Sequence, residues 1–236
     1  MSGHSKWANI KHKKAAMDVK RGKAFTKLIK EITVAAKVGG APESNPRLKH
    51  LIDKAKSINM PADNITRAVK KGTGELPGIA YEAITYEGYG PNGVAIIIET
   101  LIDNKNRAVA ELRTFFSKRG CTLGETGTVN WMFERKGVLK GETNKSEDDL
   151  IEVLLDYEVD DISIEDKTFT VTCESKSLDA VKKALEATGL KVDHAELEWV
   201  AKNTISLDDD RSQKVIDFLD ELEDLDDVQN VYANLV

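Results

Sequence analysis

The sequence predicts an α+β protein in three parts: a basic three-helix bundle at the N-terminus, then two α/β sandwiches, one inserted into the other. Three observations carry this. Apolar residues between 25 and 69 recur every three to four positions, the spacing of one helix face. Beyond residue 79 the period changes, and short β-branched runs alternate with helical stretches. Charge divides at the same place: residues 1–75 carry 14 Lys and 3 Arg against 6 acids, a net +11 in a chain whose total is −6, which leaves −17 for the rest.

The first helix sets Phe25, Leu28, Ile29, Ile32, Ala35 and Ala36 on one stripe. At about 100° per residue, Lys20, Lys23, Lys27 and Lys30 fall on nearly the opposite side, so one helix can face a core and an anion at once. Gly39-Gly40 ends it. Asn45 as N-cap and Pro46 at the first helical position begin a second helix, whose Leu48, Leu51, Ile52, Ala55 and Ile58 share a face. Pro61 separates that from a short third helix carrying Ile65, Ala68 and Val69 and stopped at Gly72. Three amphipathic helices with short connections make a small bundle. Thr73 to Gly78, with two Gly and a Pro, reads as a linker.

Farther on, strands are expected near 94–102, 129–134, 137–140, 159–164, 168–173, 192–200, 204–207 and 228–235, and helices near 105–119, 147–157, 176–188 and 210–223. The order is βαβ, then βαββαβ, then βαβ. The middle six elements form a complete ferredoxin-like unit, and the flanking halves supply a second if the chain leaves and returns. The expected domains are 1–75, 79–134 together with 203–236, and an inserted 135–202. A linear pair cut near 140 or 160 is the simpler alternative. The insertion depends on 137–140 and 204–207, the two weakest strand signals.

Composition removes several classes. The chain of 236 residues is 41% apolar and 31% charged, which fits compact domains and not a disordered or coiled-coil chain. Its longest aliphatic run, Val94 to Ile98, is far short of the roughly 20 residues a membrane helix needs. The first thirty residues hold no apolar block of secretory type, so a cytoplasmic location is expected. Cys121 and Cys173 form no CxxC pair, which favours a reducing compartment, packing roles and no structural zinc.

The same thirty residues hold one acid, Asp18, against Lys6, Lys11, Lys13, Lys14, Lys20, Arg21, Lys23, Lys27 and Lys30, a net +8. Charges at this density repel one another, and a polyanionic partner is the economical explanation. Trp7 and Ile10 lie inside the run, where a purely solvating tail has little use for them. The acidic remainder repels nucleic acid and confines the contact to one end. The candidate nucleic-acid contacts are therefore Lys6, Trp7, Lys11, His12, Lys13, Lys14, Lys20, Arg21, Lys23, Lys27 and Lys30. The cations neutralise phosphates, while Trp7 stacks on a base or packs on the bundle. Asn104, Lys105, Asn106 and Arg107 offer a second polar contact, whose plainer reading is a helix N-cap with exposed neighbours.

Motifs for chemistry are weak. Gly88-Tyr89-Gly90-Pro91-Asn92-Gly93 matches GxGxxG, but a strand follows it and no helix opens there, so it reads as a turn. No phosphate-binding GxxxxGK[ST] loop, GxSxG or HExxH occurs. His4 and His12 sit in the basic run without a neighbouring carboxylate or thiolate. Asp208-Asp209-Asp210 suits the start of a helix, and Glu221 to Asp227 an acidic, solvated surface that turns away polyanions. No enzyme, metal, cofactor, small-molecule substrate or membrane contact is expected.

The opening Ser2-Gly3-His4-Ser5-Lys6-Trp7-Ala8-Asn9-Ile10-Lys11-His12-Lys13-Lys14 resembles the signature start of the YebC/PmpR family. The likeness continues through Arg21-Gly22-Lys23-Ala24-Phe25-Thr26-Lys27-Leu28, Asn45-Pro46-Arg47-Leu48, Asn59-Met60-Pro61, Asn64-Ile65, Tyr86-Glu87-Gly88-Tyr89-Gly90-Pro91 and Asp103 to Arg107. Asn92, where a second Gly is expected, and Met17, where Gln is usual, depart from the pattern. The resemblance implies a cytoplasmic three-domain protein with a helical N-terminal domain and two α/β domains of related fold. Members are commonly described as transcriptional regulators binding promoter DNA. Others, including a mitochondrial translational activator for a cytochrome oxidase subunit, act at the ribosome and are associated with relieving stalls at proline-rich stretches. Because the signature begins at residue 3, a bacterial member without a presequence is expected.

Overall fold

The computed structural model describes residues 21–165 and 167–236, which hold seven α-helices and two four-stranded sheets. They fall into two compact units. One runs to Thr128 and includes Asp208–Val231; the other is Val129–Leu207 with Tyr232–Val236.

In the first unit, α1 (Arg21–Ala36), α2 (Pro46–Ser57) and α3 (Ala62–Thr73) form the helical bundle. Leu28, Ile32, Ala35, Leu48, Leu51, Ala55, Ile65 and Ala68 are its buried core, the stripes that the spacing predicts. The Asn45 carboxamide accepts from Leu48 N at 3.1 Å and donates to Ala35 O and Gly39 O, so one side chain caps α2 and ties off the end of α1. Gly72 does not stop α3. The helix runs on to Gly74, whose φ of 84° makes the left-handed cap, and Gly72 is the point of closest approach to α1. A Cβ there would lie 2.3 Å from Thr33 O and 2.6 Å from the Ala36 methyl.

The first sheet has the order β3-β1-β2-β8, from β1 (Glu82–Tyr89), β2 (Ala95–Ile102), β3 (Thr122–Gly124) and β8 (Val228–Ala233). β1 pairs antiparallel with both β2 and β3. The GxGxxG segment is the β1–β2 connection, a single helical turn at Pro91–Gly93 with Asn92 and Gly93 at positive φ. Two helices serve this sheet, α4 (Lys105–Lys118) and α7 (Asp209–Glu223). They meet through Phe115, Phe116 and Phe218, with ring centroids 5.0 and 5.2 Å apart in edge-to-face pairs. Asp208 caps α7 by accepting from Arg211 N at 2.8 Å.

The second sheet is built wholly from residues between β3 and β8: β4 (Phe133–Glu142), β5 (Val159–Glu165), β6 (Thr168–Glu174) and β7 (Lys191–Ala201), in the order β5-β6-β4-β7. With α5 (Glu147–Leu154) after β4 and α6 (Leu178–Ala187) after β6, this is the split βαβ arrangement of a ferredoxin-like sandwich. Leu139, Phe169, Val171 and Cys173 of the sheet pack on Leu150, Leu154, Val181 and Leu185 of the helices.

Three strand expectations change. The segments 129–134 and 137–140 are a short helical turn at Asn130–Met132 followed by one ten-residue strand. The segment 204–207 makes only an isolated bridge from Ile205 to Leu235. β1 and β3 were not foreseen: Glu82, Thr85, Glu87 and Gly88 dilute the apolar pattern of β1, and β3 is only three residues long; the first sheet accordingly opens with a hairpin.

Gly72→Ala should destabilise the bundle by about 1–3 kcal/mol, because backbone of α1 must move to admit a methyl group. Gly39→Ala enters open space and serves as the control. Urea unfolding of both variants checks this.

Candidate nucleic-acid interface

Of the predicted contacts, Lys6, Trp7, Lys11, His12, Lys13, Lys14, Lys20 and the Arg21 side chain lie outside the described residues. Lys23, Lys27 and Lys30 are placed, and the expectation that they form one exposed row needs correction. They sit opposite the bundle core, as the spacing requires, but that side of α1 faces the turn between α7 and β8.

An α-helix ends with carbonyls that have no partner within the helix, and with a partial negative charge. The lysines of α1 supply both partner and counter-charge to α7. Lys23 Nζ donates to Asp224 O at 3.2 Å and lies 3.6 Å from the Asp224 carboxylate. Lys27 Nζ donates to Glu223 O at 2.8 Å and to Gln229 O at 3.4 Å. Lys30 Nζ donates to Asp226 O at 2.8 Å and to Asp227 Oδ1 at 2.9 Å, with both side chains of the ion pair only 9% exposed. Lys37, seven residues beyond and just past the end of α1, donates to Tyr81 O at 2.8 Å. Lys30 is therefore a buried structural cation, and its ammonium group is withdrawn from any phosphate.

Asp227 joins this contact to the second predicted one. Its other oxygen accepts from Arg107 Nη2 at 2.9 Å, and Arg107 also binds Asp103 at 2.5 Å. Burial alone would raise the Asp227 carboxyl, but hydrogen bonds from Arg107 and Lys30 outweigh it and hold the group below its usual value. Tyr81, whose ring lies 5.5 Å from Lys30 Nζ, is pushed up by burial and by the nearby Asp103 and Asp227 carboxylates. Asn104 is an N-cap, accepting from Arg107 N at 3.1 Å. Lys105 and Asn106 remain exposed beside it.

The acidic segment is thus more than a solvated surface. Glu221 pairs with Arg119, Asp224 with Lys23, and Asp227 with Lys30 and Arg107. Sequence reasoning missed Asp227 and Lys37. The available signal was Lys37 continuing the seven-residue step from Lys30, together with an Asp run placed just after a helix. Exposed bases of the described bundle include Arg47, Lys49, Lys54 and Lys56 of α2 and Arg67, Lys70 and Lys71 of α3.

Asp227→Ala should cost about 3 kcal/mol in urea unfolding, at the low end for a broken buried pair because carbonyls still receive Lys30. The pH dependence has a definite sign. A carboxyl lowered on folding contributes in full above its unfolded pKa of about 3.9, and the contribution is lost as pH falls through the lower folded value. Asp227→Ala should therefore flatten the acid limb of the stability profile below about pH 4, measured against the parent.

Comparison with known proteins agrees with this architecture. A family model described as the TACO1/YebC protein N-terminal domain matches residues 5–75, and one described as the TACO1/YebC second and third domain matches 81–235. A protein of Chlorobaculum tepidum named "probable transcriptional regulatory protein" is 53% identical over 238 residues, covering 100% of this chain and 95% of its own length. One of the same name from Trichlorobacter lovleyi is 51% identical, covering 99% and 95%. The crystal structure of a conserved hypothetical protein from Aquifex aeolicus superposes with a TM-score of 0.86 at 43% identity, covering 98% of this chain and 97% of that one. With family models spanning nearly the whole chain and relatives above half identity along its length, the chain belongs to the TACO1/YebC family.

Proposed function

We propose that the chain is a non-enzymatic, nucleic-acid-binding regulator of gene expression, acting as a DNA-binding transcriptional regulator. The observation that carries this is the net +8 of the first thirty residues, interleaved with Trp7 and Ile10, in a chain that is otherwise acidic. The relatives' shared name, probable transcriptional regulatory protein, supports the transcriptional arm. In this reading Lys6, Lys11, Lys13, Lys14, Lys20 and Arg21 neutralise phosphates, and Trp7 and His12 add stacking and polar contact. Lys23 and Lys27 border that run, and Lys105 and Asn106 offer a secondary polar contact. No described helix is long and apolar enough to cross a membrane, and a cytoplasmic site of action fits a partner found there.

A second reading, binding to RNA on the ribosome, draws on one specific observation. A duplex reader presents a helix with Arg, Asn or Gln toward base edges. In α1 the polar side offers Lys and is turned toward the α7–β8 turn. Charge without base-edge chemistry suits recognition by shape or of single strands. Relief of stalling at proline-rich stretches, implied by the family resemblance, would be the corresponding role.

The deciding experiment sediments purified protein with ribosomes at physiological salt against excess duplex DNA. Retention on ribosomes supports translation; loss of retention with tight binding to selected promoter fragments supports transcription. Changing Lys6, Lys11, Lys13 and Lys14 together to Gln should flatten the log–log salt dependence of binding by about 3.6 on duplex DNA or 2.8 on single-stranded RNA. An unchanged slope would remove the basic run from the contact.

A further inference from the structure

The grip of the α7–β8 turn on α1 is graded along the helix. Lys30 is sealed, with 9% of its side chain exposed, whereas the Lys23 and Asp224 side chains are 50% and 39% exposed. Lys27 lies between them, partly buried. The three ammonium groups, spaced i, i+4 and i+7, meet oxygens of Glu223, Asp224, Asp226 and Asp227 in one turn of chain. A row of lysines against closely spaced carbonyl oxygens, with the Asp224 carboxylate at one end and the Asp227 carboxylate at the other, resembles the oxygen row that a phosphate backbone presents.

We propose that this turn, Glu223–Asp227, is an internal polyanion that competes with nucleic acid for Lys23 and Lys27, while Lys30 holds the joint closed. The inference rests on the nucleic-acid reading above and deepens it, since Lys23 lies three residues from Lys20 and continues the basic run. Exposed pairs are weak and screened by salt, so the outer carboxylate of Asp224 can be exchanged for phosphate. The buried Lys30–Asp227 pair is shielded from both solvent and ions and does not exchange. Binding is thereby tuned: the acidic turn subtracts one or two phosphate contacts from those the run could make.

The test uses the full chain with Asp224→Asn, labelled 20-nucleotide single-stranded RNA and 20-base-pair duplex DNA of arbitrary sequence, and a salt series. Asp224→Asn leaves Lys23 only the neutral Asp224 O, and loss of the competing charge should steepen the log–log slope by up to about 0.9 on duplex or 0.7 on single strands. Affinity should then fall about threefold more than the parent's between roughly 50 and 200 mM salt, with tighter binding at the low end. Adding Lys23→Gln to Asp224→Asn should abolish the gain. Parental affinity and slope in Asp224→Asn would overturn the inference alone. So would a gain that survives Lys23→Gln, because it would then reflect net charge and not the released lysine. Binding by neither parent nor variant would remove the nucleic-acid reading and this inference with it.

Discussion

A lysine and an aspartate, each about nine-tenths covered, hold the first unit together: Lys30 from the helical bundle and Asp227 from the turn before the last strand. Neither charge could sit there alone, since an isolated buried ion loses several kcal/mol of hydration. Each is kept by more than its partner. Carbonyls of Asp226 and Leu101 also receive Lys30, and Arg107 also binds Asp227. Around that pair the remaining lysines of α1 close the open end of α7, so a bundle rich in cations and a domain rich in anions are joined through the charges that would otherwise repel within each.

This arrangement divides the basic charge of the chain into two kinds. Lys23, Lys27 and Lys30 of α1, and Lys37 just past its end, meet carbonyls and carboxylates of the same unit, and their positions are set by the fold. The exposed bases of α2 and α3 are the other kind, set on the outer side of the bundle. Counting lysines therefore overstates what the N-terminal region can offer a polyanion. The helical wheel alone cannot tell the two kinds apart, because it reports which side of a helix a residue occupies and not what lies on that side.

Much of the architecture was legible because it depends on local chemistry. Apolar stripes fixed the three helices, Asn45-Pro46 fixed the start of α2, and turn residues placed the Pro91–Gly93 connection. The ferredoxin-like order of the second sheet followed from the alternation of periods. What was hidden depends on residues far apart in sequence. Gly72 looked like a helix stop until the approach of Thr33 gave it another use. Two strand signals fused into β4 because the strand continues through Gly137, where a local pattern breaks. Asp227 looked like one acid among many because Lys30, nearly two hundred residues earlier, is its partner.

The order of the strands has a consequence for how the chain is made. The second sheet is finished once residue 201 has been synthesised, and its elements are contiguous, so it can fold on its own schedule. The first sheet lacks an edge strand, and α1 lacks its anionic counterpart, until α7, the turn and β8 emerge within the last thirty residues. The part begun first is completed last. During synthesis Lys30 stays without Asp227 until nearly two hundred further residues have been joined to the chain, and the contact that gathers the lysines of α1 forms only after α7.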